Sequence, residues 1–235
     1  MRDKLIIALD LPDGARALEM ARTLRSQVGW VKVGMTLYYA EGPQIVRELR
    51  AMGLKVFVDL KLHDIPHQVE GACRTLTRIG ADMFTVHASG GRAMLEAAVS
   101  ATAAAAEKFR IPRPLVIAVT VLTSLDDAAL ADIGVAASAA DQVATLAKVA
   151  KAAGCDGVVC SPNEATAMRA LLGPDALVVT PGIRPAGEDA DDQARTATPV
   201  SALEAGASHL VIGRPVTGAD DPAEAAKSIL KEMSA

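Results

Sequence analysis

An alternation constrains this chain more than any other feature. Short β-branched runs lie near residues 5–10, 31–35, 55–62, 83–88, 115–122, 157–161, 177–183 and 210–214. Longer Ala- and Leu-rich amphipathic runs lie between and after them, near 15–27, 41–52, 66–79, 91–108, 138–153, 164–172, 199–205 and 222–234. Short apolar runs bounded by turn residues read as buried strands, and the longer 3.6-period runs as helices. A strand followed by a helix, eight times over, is the order of an α/β protein of the (β/α)8 TIM-barrel class, here a single domain over residues 1–235. The punctuation agrees. Gly53, Gly80, Gly154 and Gly206 each close a helix just before a strand. Three of these sites form a near-repeat, Ile79-Gly80-Ala81-Asp82, Ala153-Gly154-Cys155-Asp156 and Ala205-Gly206-Ala207-Ser208. Asp221-Pro222 and Ser161-Pro162 read as helix starts. The competing fold, an open doubly wound sheet, would carry a glycine-rich phosphate loop after its first strand. That strand instead ends Leu9-Asp10-Leu11-Pro12.

Composition narrows the class of function. Apolar residues make up 51% of the chain and aromatics only 3%, so the core must be built from Ala, Val, Leu and Ile. That suits helices packed on a parallel sheet. The net charge of −4 gives no broad positive field for a polyanion, which argues against nucleic acid as a partner. A small anionic ligand needs only a few local cations. Cys73, Cys155 and Cys160 have neither a CxxC nor a zinc spacing and read as buried, reduced thiols. The N-terminal apolar run is too short for a signal peptide, and no uncharged stretch is long enough to span a bilayer. The expectation is a soluble cytoplasmic protein with no membrane partner.

Barrel chemistry sits at the C-terminal ends of the strands. The first strand ends in Asp10, the second carries Lys32, and the third reads Val56-Phe57-Val58-Asp59-Leu60-Lys61-Leu62-His63-Asp64. Alternate strand residues share a face. Val58, Leu60 and Leu62 would face the helices, which turns Phe57, Asp59 and Lys61 toward the barrel axis. Lys32, between Val31 and Val33, also points inward. Buried charges on neighbouring strands are costly unless they pair, so Lys32, Asp59, Lys61 and Asp10 should alternate in sign around one mouth, with Asp64 just beyond. The bland alternative is a salt-bridge layer that only closes the barrel.

A second group suggests phosphate. Strand eight ends Ile212-Gly213-Arg214, where a glycine lets amides approach an anion at a helix start. Arg214 and Arg184, the latter in Thr180-Pro181-Gly182-Ile183-Arg184, could grip a phosphate in bidentate fashion. Surface arginines in tight turns would look the same. The long polar stretch of residues 185–198 reads as an active-site lid, on which Gln193 could donate an amide. Thr123 and Ser124 end strand five, where hydroxyls can read a pyrimidine edge or simply cap the next helix. His63 and His67 resemble a metal pair, but Pro66 breaks the register that would align them. His87 reads as a hydrogen-bonded mouth or interface histidine.

The run Asp59-Leu60-Lys61-Leu62-His63-Asp64-Ile65-Pro66 resembles the D-x-K-x-x-D signature of the orotidine 5′-monophosphate decarboxylases. The likeness extends over the chain through Leu9-Asp10, Val31-Lys32-Val33-Gly34, Val121-Leu122-Thr123-Ser124, Thr180-Pro181-Gly182-Ile183-Arg184, Asp192-Gln193 and Gly213-Arg214. The strand-three pattern is shared with the magnesium-dependent 3-keto-gulonate phosphate decarboxylases and hexulose phosphate synthases. Those carry a glutamate where this chain has Lys32. The resemblance implies a cofactor-free decarboxylation of orotidine 5′-monophosphate in which Lys61 meets charge at C6 and delivers a proton. Asp59 would hold Lys61, while Lys32 and Asp10 bind ribose. It also implies a homodimer in which Asp64 and Ile65 reach the partner's site. Pro181 would belong to the substrate pocket, and Arg184, Gln193, Gly213 and Arg214 would grip the phosphate. A sugar-phosphate decarboxylase or aldolase and a catalytically silent nucleotide binder remain as alternatives.

Overall fold

The computed structural model describes residues 1–185 and 196–234. Eight parallel strands close into a barrel in the order β1 to β8. They are β1 (Leu5–Ala8), β2 (Trp30–Gly34), β3 (Lys55–Leu62), β4 (Met83–His87), β5 (Leu115–Val119), β6 (Gly157–Val159), β7 (Leu177–Thr180) and β8 (His209–Ile212). The expected (β/α)8 class is therefore the observed one, and the doubly wound alternative is excluded by the β1–β8 pairing.

The helices are α1 (Gly14–Leu24), α2 (Met35–Glu41), α3 (Gln44–Ala51), α4 (Pro66–Ile79), α5 (Arg92–Phe109), α6 (Asp127–Asp132), α7 (Ala139–Ala152), α8 (Ala165–Leu172), α9 (Pro199–Glu204), α10 (Arg214–Thr217) and α11 (Pro222–Glu232). The helix expected over 41–52 is α3, and α2, directly after β2, is an additional helix that was not anticipated. Gly42, at φ +66°, caps α2, and Pro43 then starts α3. α6 and α10 were not anticipated either, because helices of six and four residues carry too little periodicity to read.

Strand alternation divides the core in two. Leu5 and Ile7 pack outward beneath the helices, while Ile6 and Ala8 join Trp30, Phe57, Met83, Ile117, Val179 and Val211 inside the barrel. The near-repeat has a physical cause. Asp82 Oδ2 accepts the Val56 amide (2.8 Å), Asp156 Oδ2 the Val116 amide (2.7 Å) and Ser208 Oγ the Val178 amide (2.8 Å). Each turn into a strand thus pins the start of the preceding strand, at the end of the barrel away from the chemistry. A buried backbone donor left without such a partner would cost about 1–3 kcal/mol.

Candidate active site

A cavity of about 470 Å³ opens at the C-terminal mouth of the barrel. Asp10, Lys32, Asp59 and Lys61, from the β1–β3 side, line it, and so do Val119, Val159 and Val179 from β5–β7. One wall is charged and the opposite wall is apolar. Poor solvation near the apolar wall strengthens the field of the charges.

The charges alternate as the strand pattern predicted. Lys32 Nζ lies 2.8 Å from Asp10 Oδ1 and 3.7 Å from Asp59 Oδ2, and Lys61 Nζ lies 2.9 Å from the same Asp59 oxygen. Lys32 is buried, whereas the Asp10 side chain is 55% exposed. Burial alone would raise the Asp59 carboxyl. The ammonium groups of Lys32 and Lys61, with hydrogen bonds from Lys61 and Thr85, outweigh that effect and hold it below the usual carboxylate range.

Simple alternation carries β3 only as far as Asp59. Val58 pairs with Phe84 and Leu62 with Val86, so β3 spends four steps where β4 spends two. Lys61 sits in this bulge at φ +53°, a left-handed backbone that is rare for a side-chain-bearing residue. The bulge re-aims Lys61 into the cavity.

The remaining residues divide. Thr123, Pro181, Arg184, Gly213 and Arg214 all line the cavity. Arg184 is buried, with Nη1 donating to Ile183 O (3.1 Å) and Nε without a hydrogen-bond partner among the described residues. Arg214 is exposed at the start of α10. Ser124 is exposed and absent from the lining. Neither Thr123 nor Ser124 caps the next helix, since Asp126 does that, accepting the Ala129 amide. Asp64 and Ile65 lie outside the cavity. Asp64 Oδ1 accepts the Ile65 amide (2.7 Å), and Ile65 is 64% exposed. Gln193 and most of the expected lid lie outside the described residues.

His63 faces His87 instead of pairing with His67, at a ring separation of 5.4 Å. Burial, helped by His63 and Lys61, lowers the His87 pKa. Among the described residues no cluster of three or more His, Cys, Asp or Glu side chains is disposed to hold a metal ion. Cys73 and Cys160 are buried and Cys155 is half-buried; all three are free.

Sequence reasoning passed over two residues. A Cβ on Gly34 would stand 2.5 Å from Asp10 Oδ1 and 2.9 Å from Lys32 Nζ. The ion pair therefore occupies the space that a side chain would take. Its place in Val31-Lys32-Val33-Gly34, two residues beyond Lys32 on the same strand face, was the available signal. The second is Thr85 on β4, whose Oγ1 donates to Asp59 Oδ1 (2.9 Å) and accepts the Lys61 amide (2.8 Å). A threonine in a buried strand gives no such signal by itself.

An apolar-walled cavity with paired ammonium groups on one flank and two arginines on another places the chain among the (β/α)8 barrels suited to small anionic ligands. The comparisons carry this further. The model described as "Orotidine 5'-phosphate decarboxylase / HUMPS family" matches residues 3–229, and the chain belongs to that family. The orotidine 5'-phosphate decarboxylase of Moorella thermoacetica is 50% identical over 233 residues, covering 99% of this chain and 92% of its own. That of Halorhodospira halophila is 50% identical over 232 residues, covering 99% and 96%. The solved orotidine 5'-phosphate decarboxylase of Lactobacillus acidophilus superposes with a TM-score of 0.83 at 39% identity, covering 100% of both chains. No helix among the described residues is long and apolar enough to cross a membrane.

Proposed function

We propose that this chain converts orotidine 5′-monophosphate to UMP and CO2, the last step of de novo UMP synthesis, and does so in the cytoplasm. The relatives' shared name supports the reaction. The observation that carries the mechanism is the Lys61 ammonium, held 2.9 Å from Asp59 inside a cavity with an apolar opposite wall.

The C6–carboxylate bond breaks and its electron pair stays on C6 as a vinyl carbanion. The pyrimidine ring cannot delocalise that pair. Preorganised charge must stabilise it, and the residues present supply that without an electron-sink cofactor. Lys61, a compact ammonium, stands next to C6 and transfers a proton to it, which leaves a neutral amine to be reprotonated from solvent. Asp59 fixes Lys61 and faces the departing carboxylate. Lys32 and Asp10 take the ribose hydroxyls. Thr123 and Ser124 meet the pyrimidine edge, with Pro181 against the ring. Arg184, Gln193, Gly213 and Arg214 hold the phosphate, far from C6, so that binding away from the reacting carbon contributes to catalysis.

The working unit in this reading is a homodimer. Asp64 and the exposed Ile65 lie outside their own cavity, which fits their serving the partner's site. Sedimentation should give a dimer, and a fully active monomer would refute the shared site.

The family's description also covers the HUMPS members, so the decisive assay separates the two. Metal-free protein in EDTA should deplete the absorbance of orotidine 5′-monophosphate. Turnover that appears only with added magnesium, or only on keto-sugar phosphates, would overturn the proposal.

A further inference from the structure

Thr85 is fully buried on β4 and faces the β3 bulge. Val58–Phe84 pairing lies on one side of it and Leu62–Val86 pairing on the other, so Thr85 is the β4 residue opposite residues 59–61. The regular β3–β4 ladder is interrupted there, and the Lys61 amide finds the Thr85 hydroxyl instead (2.8 Å).

The direction of each bond is fixed. A backbone amide can only donate, so Thr85 Oγ1 accepts from Lys61. Its single proton then goes to Asp59 Oδ1 (2.9 Å). The other Asp59 oxygen, Oδ2, accepts from Lys61 Nζ (2.9 Å). The bonds form a ring that leaves Lys61 at its backbone and returns to Lys61 at its ammonium. Such a chain of bonds in a poorly solvated site is mutually strengthening. The β-branched side chain has few χ1 choices on a strand, which makes it a stiff element of that ring.

We propose that Thr85 is a positioning residue for the decarboxylation: its one hydroxyl orients the Asp59 carboxylate and anchors the left-handed Lys61 backbone, and so sets where the Lys61 ammonium stands. This role rests on the reaction assigned above. Without the hydroxyl, the carboxylate can rotate about its Cβ–Cγ bond and the Lys61 peptide loses its acceptor. An ammonium misplaced by an ångström costs rate, because alignment with the reacting carbon is where such groups act. Arg184 and Arg214 are on other strands and loops, so ground-state binding through them is not affected.

The test is steady-state kinetics on orotidine 5′-monophosphate with Thr85→Val, Thr85→Ala and Thr85→Ser. We expect kcat to fall about 30- to 100-fold in Thr85→Val and Thr85→Ala, with KM within about threefold of wild type. Thr85→Ser restores the hydroxyl and should recover kcat to within about threefold. If Thr85→Val does not fold, the Ser/Ala pair, which differs only by the hydroxyl oxygen, makes the same comparison. Wild-type kcat in Thr85→Ala, or equal losses in the Ser and Ala variants, would overturn the proposal, and so would a loss confined to KM. Wild-type protein that fails to turn over the substrate overturns the assigned reaction instead, and is read separately from the ratios between variants.

Discussion

Gly34→Ala should lower activity while leaving stability close to that of wild type. A methyl at this position would stand 2.5 Å from Asp10 Oδ1 and 2.9 Å from Lys32 Nζ. Both contacts must relax to about 3.4 Å or more before repulsion fades. The carboxylate retreats by about 0.9 Å and the ammonium by about 0.5 Å, along directions about 60° apart, which opens their 2.8 Å contact to about 3.5 Å. At an effective dielectric constant of about 20, the attraction falls from about 6 to about 5 kcal/mol. Asp10 is 55% exposed, so solvent screening reduces that loss of folded-state stability below about 1 kcal/mol. Activity falls because both groups leave their places at the mouth, and the predicted fall in kcat/KM is about five- to tenfold. The backbone is at φ −85° and ψ −179°, which alanine adopts freely. Replacing glycine in a compatible conformation should itself stabilise by about 0.4–1 kcal/mol, offsetting the steric cost. Urea unfolding should then agree with wild type within about 1 kcal/mol. A folded variant with wild-type kcat/KM would refute the argument that the missing side chain makes room for the ion pair.

Three further outcomes follow from the same geometry. Lys61→Ala should lose turnover by about 10³-fold or more while its unfolding transition stays cooperative; near-normal activity would remove Lys61 from the chemistry. Arg214→Ala should mainly raise KM, by about 10- to 100-fold for a lost charge-assisted contact, and an unchanged KM would rule out the phosphate site. His209 packs edge-on against Trp30 (5.9 Å), and burial, with Lys55 and Lys4 nearby, pushes its pKa down to about 4. The unfolded histidine, at about 6.5, takes a proton more readily, so this contribution is complete above pH 6.5 and is lost as pH falls toward 4, amounting to about 3 kcal/mol. Denaturation at pH 7 and pH 4 should show a smaller difference in His209→Gln than in wild type; equal differences would contradict it.

The fold was legible because its signals are local and repeated. Strand and helix periodicity recurs along the chain, and the Gly-Ala-Asp type of turn reappears at three strand junctions, where Asp82, Asp156 and Ser208 pin the start of the preceding strand. Local too was the inward direction of Asp59, two residues from Phe57 on the same face. The left-handed turn at Lys61 was not, because nothing in Asp59-Leu60-Lys61-Leu62 distinguishes a bulged strand from a straight one. α2 escaped notice for another reason: it begins at Met35, directly after the last residue of β2, with no polar cap to announce it.

The two ends of the barrel explain where legibility stops. At the N-terminal end one requirement, an acceptor for a strand's buried amide, is met three times by nearly the same short sequence, and repetition exposes it. At the mouth each contact is made once, between residues distant in the chain. Asp10 meets Lys32 across 22 positions and Thr85 meets Asp59 across 26. Charged residues reveal themselves there even as single instances, since an inward charge on a strand demands a partner. Thr85 and Gly34 make no such demand: one passes for an ordinary β-branched filler and the other for a turn glycine. The residues that carry charge were therefore readable from the chain, whereas those that hold the charges in place became visible only once the strands were set side by side. The substitutions at Gly34 and Thr85 bear on that second set, because each changes the seating of the ion pairs and leaves every charged group present.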